Sequence, residues 1–220
     1  MGLIDILPVS MRAALLYAKS AKIAKSDKTA REKLEMIRKK ENFWKGKSGF
    51  HPEKIGKEQA IAVSIGLKDL ANIYNSINSP DDALRCLDAI GNTLTDSLNS
   101  LPNTELTAHK RQSIYENQIW AWLHEATAYA KKNNIEKCRE LLDKINVSIN
   151  KKTESEPANK RLADFYAYTV SQTFNIFINI ANEFPENQQK AYHTCLSLLK
   201  AFKERDPGNE TVQEYIERFH

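Results

Sequence analysis

The sequence predicts an all-α protein: about four antiparallel helical hairpins stacked side by side and closed by a short C-terminal helix. Two observations carry this. The sets Ala30–Leu34–Ile37, Ala83–Leu87–Ile90, Cys138–Leu142–Ile145 and Ala191–Cys195–Leu198 recur with first members 53, 55 and 53 residues apart. Within each set the spacing i, i+4, i+7 marks one stripe of an α-helix, with a small residue in front and aliphatics behind it. The second observation is the scarcity of breakers, seven Gly and seven Pro in 220 residues, which leaves long stretches free to run as helix.

Each stripe in the first three sets has a preceding helix. Twelve residues before the small residue stands Ala18, Ala71 or Ala126, with Ala14, Leu67 or Trp122 four residues earlier and Ala21, Tyr74 or Tyr129 three residues later. The paired helices therefore meet at two small side chains, which permits a close approach. The expected hairpins are 8–41, 57–100, 104–149 and 160–204, with a capping helix at 209–219, all in a single domain 1–220. Ser26 or Asp27 is expected to cap the second helix. Pro80 and the acids Asp81 and Asp82 suit a helix start, and the run KKNNIEK ends one helix and begins the next. Residues 43–56 and 150–160 read as loops. In the fourth hairpin Leu162, Tyr166, Val170, Phe174, Phe177 and Ala181 hold helical spacing, while Asn175, Asn179 and Asn182 replace apolar first-helix residues. Ile176, Ile178 and Ile180 leave apolar surface on which a homodimer could form.

The pattern Leu67, Leu70, Ala71, Tyr74, Ala83, Leu87, Ile90 resembles the tetratricopeptide repeat, as does Trp122, Ala126, Tyr129, Cys138, Leu142, Ile145. Ala14, Ala18, Ala30, Leu34, Ile37 is similar in outline, and RDPGN at 205–209 looks like the family's inter-repeat turn. The departure is the period, 53 to 55 residues against the family's 34, so the helices and loops are longer here. The resemblance implies a right-handed α-α superhelix whose first helices line a concave surface that binds a peptide or helix of another protein.

Composition excludes several classes. The three cysteines, Cys86, Cys138 and Cys195, are far apart in sequence, which speaks against a disulfide framework or a Cys-x-x-Cys metal site and for a cytoplasmic setting. No apolar run approaches the length that spans a bilayer, so no membrane partner is expected. GKS at 46–48 lacks the upstream glycine of a phosphate loop, because Glu41 stands there. His124 and Glu125 begin like a zinc-protease helix, but Ala128 replaces the second His. The chain is therefore expected not to be an enzyme and to need no cofactor or metal.

The candidate partner-binding positions are Lys19 and Lys22 from the first hairpin, Lys68, Asn72 and Asn75 from the second, and Trp120, His124, Thr127 and Lys131 from the third. Lys68 and Asn72 stand as a Lys and an Asn do in family members that grip a terminal carboxylate. Residues 1–60 hold 14 Lys and Arg against 7 Asp and Glu, within a chain of net charge +4, so the expected partner is an acidic protein or peptide. The alternative is nucleic acid held by the basic N-terminal hairpin, with Phe43 and Trp44 as stacking faces.

Overall fold

The computed structural model describes residues 7–45, 55–156 and 160–219. Among the described residues all regular structure is helical: α1 (Val9–Ala24), α2 (Ala30–Lys45), α3 (Lys57–Ser76), α4 (Pro80–Asp88), α5 (Thr93–Ser100), α6 (Glu105–Lys131), α7 (Ile135–Ser155), α8 (Lys160–Glu183), α9 (Gln188–Arg205) and α10 (Glu210–Glu217). The chain divides into two units, Met1–His124 and Glu125–His220, where the sequence suggested one domain.

The turns explain the boundaries. Asn78 and Asn133 both adopt the left-handed conformation, with φ of 59° and 56°. After α3 the Ser79 N–H donates to Tyr74 O at 2.8 Å and the Asn78 N–H to Asn75 O at 3.1 Å. After α6 the Asn134 N–H donates to Tyr129 O and the Asn133 N–H to Ala130 O, both at 2.9 Å. These are the same Schellman stop, with Asn taking the position usually given to Gly. Asn134 then caps α7, its side chain accepting from Lys137 N at 3.1 Å. At α2 the cap is Thr29, not Ser26 or Asp27. Thr29 Oγ1 accepts from Glu32 N at 3.3 Å, and Glu32 accepts from Thr29 N at 2.9 Å, a capping box. Ser26 instead donates to Ile23 O at the end of α1.

Two loop boundaries move. α7 continues to Ser155, well into the expected 150–160 loop. Of the expected 43–56 loop, 43–45 belong to α2 and 46–54, which include GKS, lie outside the described residues. The second half of hairpin 57–100 is broken into α4 and α5 at Gly91, whose φ of 50° favours glycine.

In the first unit α3 is the central helix and is buried on most sides, with Leu67, Leu70, Ala71 and Tyr74 at or below 1% exposure. Burial of each of the two leucines contributes about 1.5–3 kcal/mol. α1 packs on α3 where a Cβ on Gly66 would meet Ala13 Cβ at 3.0 Å, so a glycine inside a helix marks the close approach. That contact sets the rotation of α1. Arg12, Ala13, Leu16, Ser20 and Ile23 face inward, while Ala14 and Ala18 are exposed, as is Ala30. The expected Ala18–Ala30 nest therefore does not form. The second hairpin keeps its nest, with Ala71 and Ala83 both fully buried.

In the second unit the nest is direct: Cys138 Sγ donates to Ala126 O at 3.2 Å. Leu162, Tyr166, Val170, Phe177 and Ala181 are buried, and Asn175, Asn179 and Asn182 are exposed. Phe174 lies half-buried under α10, its ring 4.6 Å from Tyr215 and 5.7 Å from Phe219, so α10 packs on α8 as well as on α9. Ile176 and Ile180 are buried within the chain, which removes two of the three residues expected to be left for a homodimer contact.

Candidate functional site

The candidate residues of α3 and the first part of α6 do not line an open surface together. Lys68, Asn75 and His124 are buried. Lys68 Nζ donates to Asn117 Oδ1 at 2.8 Å and pairs with Asp69 Oδ1 at 2.8 Å. Asn75 Nδ2 donates to the backbone oxygen of His124 at 2.8 Å. Both cross-helix bonds join residues 49 apart in sequence, so α3 and α6 run parallel here in fixed register. Burial, and then the Lys68 charge, push the His124 pKa down to about 3, so the imidazole is neutral, with its ring 5.6 Å from that of Trp120. The expected groove residues Lys68, Asn75 and His124 thus form the α3–α6 seam, while Asn72 is exposed and Trp120 half-buried. The sequence could not distinguish these cases, because a polar side chain at helical spacing suits a buried polar seam as well as a groove.

Thr127 and Lys131 belong to the second unit. They line a cavity of about 40 Å³ with Asn179 and Glu183 of α8, room for little more than a water molecule. A concavity of about 430 Å³ lies along α9 over His193, Ser197, Lys200 and Glu204.

The strongest polar constellation was not foreseen. Glu41, 2% exposed, sits at the junction of α2, α3 and α4. Arg85 grips it with both arms of its guanidinium, Nη1 to Oε1 at 2.6 Å and Nη2 to Oε2 at 2.8 Å. Lys45 Nζ lies 2.6 Å from Oε1, and the Tyr74 hydroxyl donates to Oε2. Next to it Arg38 Nη2 meets Asp82 Oδ2 at 2.6 Å, Ser79 Oγ donates to Asp82 at 2.7 Å, and Arg85 also reaches Asp82 at 3.1 Å. Both cross-helix pairs span 44 residues, so α2 and α4 also run parallel, with a basic–acidic order on one helix answered by acidic–basic on the other. Asp82 is therefore more than an acid at a helix start.

The electrostatics follow from this packing. Burial pulls the Glu41 carboxyl upward, but Arg85, Lys45 and Tyr74 outweigh it and hold the pKa at about 2. Burial of Asp82 is likewise outweighed by Arg38, Ser79 and Arg85, which keep it below its ordinary value. Tyr74 is pushed well above the usual phenol range by burial and then by the Glu41 charge, so it stays a donor. Burial, reinforced by Glu41, raises the Cys86 thiol to about 12, and burial raises Cys138 and Cys195 to about 12 as well. A saturated carboxylate, a fixed phenol and protonated thiols suit structural roles rather than proton transfer or nucleophilic attack. Among the described residues no group of three His, Cys, Asp or Glu side chains is placed to hold a metal ion, and no helix is long and apolar enough to cross a membrane.

What remains open to solvent is the basic first hairpin. Lys19 and Lys22 are exposed, as are Lys25, Lys39 and Lys40. No carboxylate among the described residues lies within ion-pair distance of these five, whereas Arg31 pairs with Glu35 at 3.3 Å and Arg38 and Lys45 are taken up by the network. Compared with family models, with curated proteins and with solved structures, the chain finds no match.

Proposed function

We propose that this chain is a tetratricopeptide-like helical-repeat protein that works in the cytoplasm by holding a segment of another protein, without catalysis. The observation that supports this most is the correspondence of two hairpins at an offset of 55 residues. Ala71, Tyr74, Asn78 and Ala83 are answered by Ala126, Tyr129, Asn133 and Cys138, with the same turn hydrogen bonds and the same burial of the small pair. Repeated hairpins present extended helical surfaces, and such surfaces serve binding. The right-handed superhelical stack belongs to the same proposal. Lys19, Lys22 and Asn72 remain available to a partner, while Lys68, Asn75 and His124 support the helices that carry the surface.

Nucleic acid is the competing ligand, and the exposed lysines are the observation in its favour. Against it, the exposed carboxylates Glu32 and Glu35 stand among those lysines on α2. The experiment is affinity capture with the full chain as bait, followed by reconstitution of the captured protein from purified components. A stoichiometric complex is expected. Absence of any reconstituted complex, together with salt-sensitive binding of a single-stranded oligonucleotide, would refute the proposal.

A further inference from the structure

The outer face of α2 presents two large apolar side chains on one stripe, whereas the exposed Met11 and Tyr17 of α1, six residues apart, fall on different sides of their helix. Met36 is 37% exposed and Phe43 56% exposed. They stand seven residues apart, two helical turns, so they share one stripe about 10 Å long. Lys39 and Lys40 fall between them, one on each flank, and neither has a carboxylate within ion-pair distance among the described residues. The Phe43 ring meets the Trp44 ring edge-on at 5.5 Å, which steadies it. On the opposite face Ile37 and Glu41 are buried, and the Arg38–Asp82 and Glu41–Arg85 pairs clamp the helix. The strip is thus apolar at its centre with a lysine on each edge, while Glu32 and Glu35 beside the Lys39 edge are taken up by Thr29 and Arg31, and the helix is fixed from behind.

We infer that this strip, Met36 and Phe43 flanked by Lys39 and Lys40, is the docking site for an acidic amphipathic helix of the partner protein. The inference rests on the interaction-module proposal and names the surface and the partner's chemistry. Two apolar side chains at a seven-residue interval match the ridge of a second helix. The two flanking lysines require carboxylates on either side of the partner's apolar seam, and rigid presentation lowers the ordering cost of binding. A phosphate backbone would satisfy the lysines but leave Met36 and Phe43 in water.

The test uses the full chain and fluorescence anisotropy with a labelled three-heptad synthetic helix carrying Leu at its seam and Glu on both flanks. Matched probes replace Glu by Lys or Leu by Ser, and a 20-nucleotide single-stranded RNA is the fourth probe. The Leu/Glu helix is expected to bind best. Met36→Ser with Phe43→Ser, and separately Lys39→Glu with Lys40→Glu, are each expected to weaken it at least tenfold. These four side chains are exposed, so circular dichroism should be unchanged, and Lys200→Glu on α9 should bind as the parent does. Equal binding of the Leu/Lys helix, preference for RNA, or full affinity in the α2 variants would overturn the inference. If the α2 variants still reconstitute the captured partner, the strip is wrong and the module stands. If the parent chain binds neither protein nor the Leu/Glu helix, both fail.

Discussion

Cys138 Sγ donates to the carbonyl oxygen of Ala126 across 3.2 Å, and both residues are fully buried. They are the two small residues, twelve apart, at which α6 and α7 meet. A larger side chain at either position would push the helices apart. Their counterparts Ala71 and Ala83 are equally buried between α3 and α4.

The same burial makes Cys138 unreactive. Burial raises all three thiols to about 12, so at pH 8 almost no thiolate forms. Native protein mixed with an aromatic disulfide reagent is expected to release negligible thiolate over minutes, and three equivalents after denaturation. Rapid labelling of native Cys138 would show that the nest opens readily.

Asn78 and Asn133 should respond alike to substitution, because they end their helices in the same left-handed turn. Asn→Gly at either is expected to be neutral or stabilising. Asn→Ala should cost about 1 kcal/mol, since Ala adopts that conformation less readily. Thermal melts of the four single variants make the comparison.

The Glu41–Arg85 pair is expected to dominate the attachment of α2. Arg85→Met leaves the buried carboxylate with Lys45 and Tyr74 only, at a cost of about 2–3 kcal/mol. Glu41→Gln removes the charge that Arg85 and Lys45 share. A double-mutant cycle of the two in urea should return a coupling well above that of the exposed Arg31–Glu35 pair, which should lie within about 0.5 kcal/mol of zero.

Acid should destabilise the fold in two overlapping windows. His124 has a pKa of about 3 in the folded chain against an ordinary 6.5, so the unfolded chain takes up the proton first. Stability then falls with pH from about 6.5 downward, by roughly 1.4 kcal/mol per pH unit, until the folded imidazole also titrates near 3. Glu41 is depressed from 4.5 to about 2. Its contribution is complete above about 4.5 and lost as pH falls through about 2. His124→Gln should therefore flatten the slope between pH 6 and 5, where Glu41→Gln should leave it unchanged. Urea midpoints across pH 3 to 7 report both.

Much of the helical order was legible because its signals are local. The stripes at Ala83, Leu87, Ile90 and at Cys138, Leu142, Ile145 read correctly, and α10 was marked by Asp206, Pro207 and Gly208 ahead of an amphipathic run. The rotation of α1 was not legible. Alanine suits an inner or an outer face, and the choice was made by Gly66 on another helix. The network at Glu41 was hidden for a different reason, since Tyr74 and Arg85 lie 33 and 44 residues away and Glu41 and Arg85 each look like an ordinary surface charge. Lys68, Asn75 and His124 were read as groove positions with six others, but spacing says nothing of whether α3 and α6 close on each other where these three stand.

The most direct measurement compares the stability of three alanine-to-leucine substitutions. Ala71→Leu and Ala126→Leu should each cost about 1–3 kcal/mol in urea, because each forces a larger side chain into a closed nest. Ala18→Leu, on the exposed face of α1, should change stability by less than about 0.5 kcal/mol. Three indistinguishable unfolding curves would contradict the claim that the second and third hairpins are copies of one unit built around a small residue.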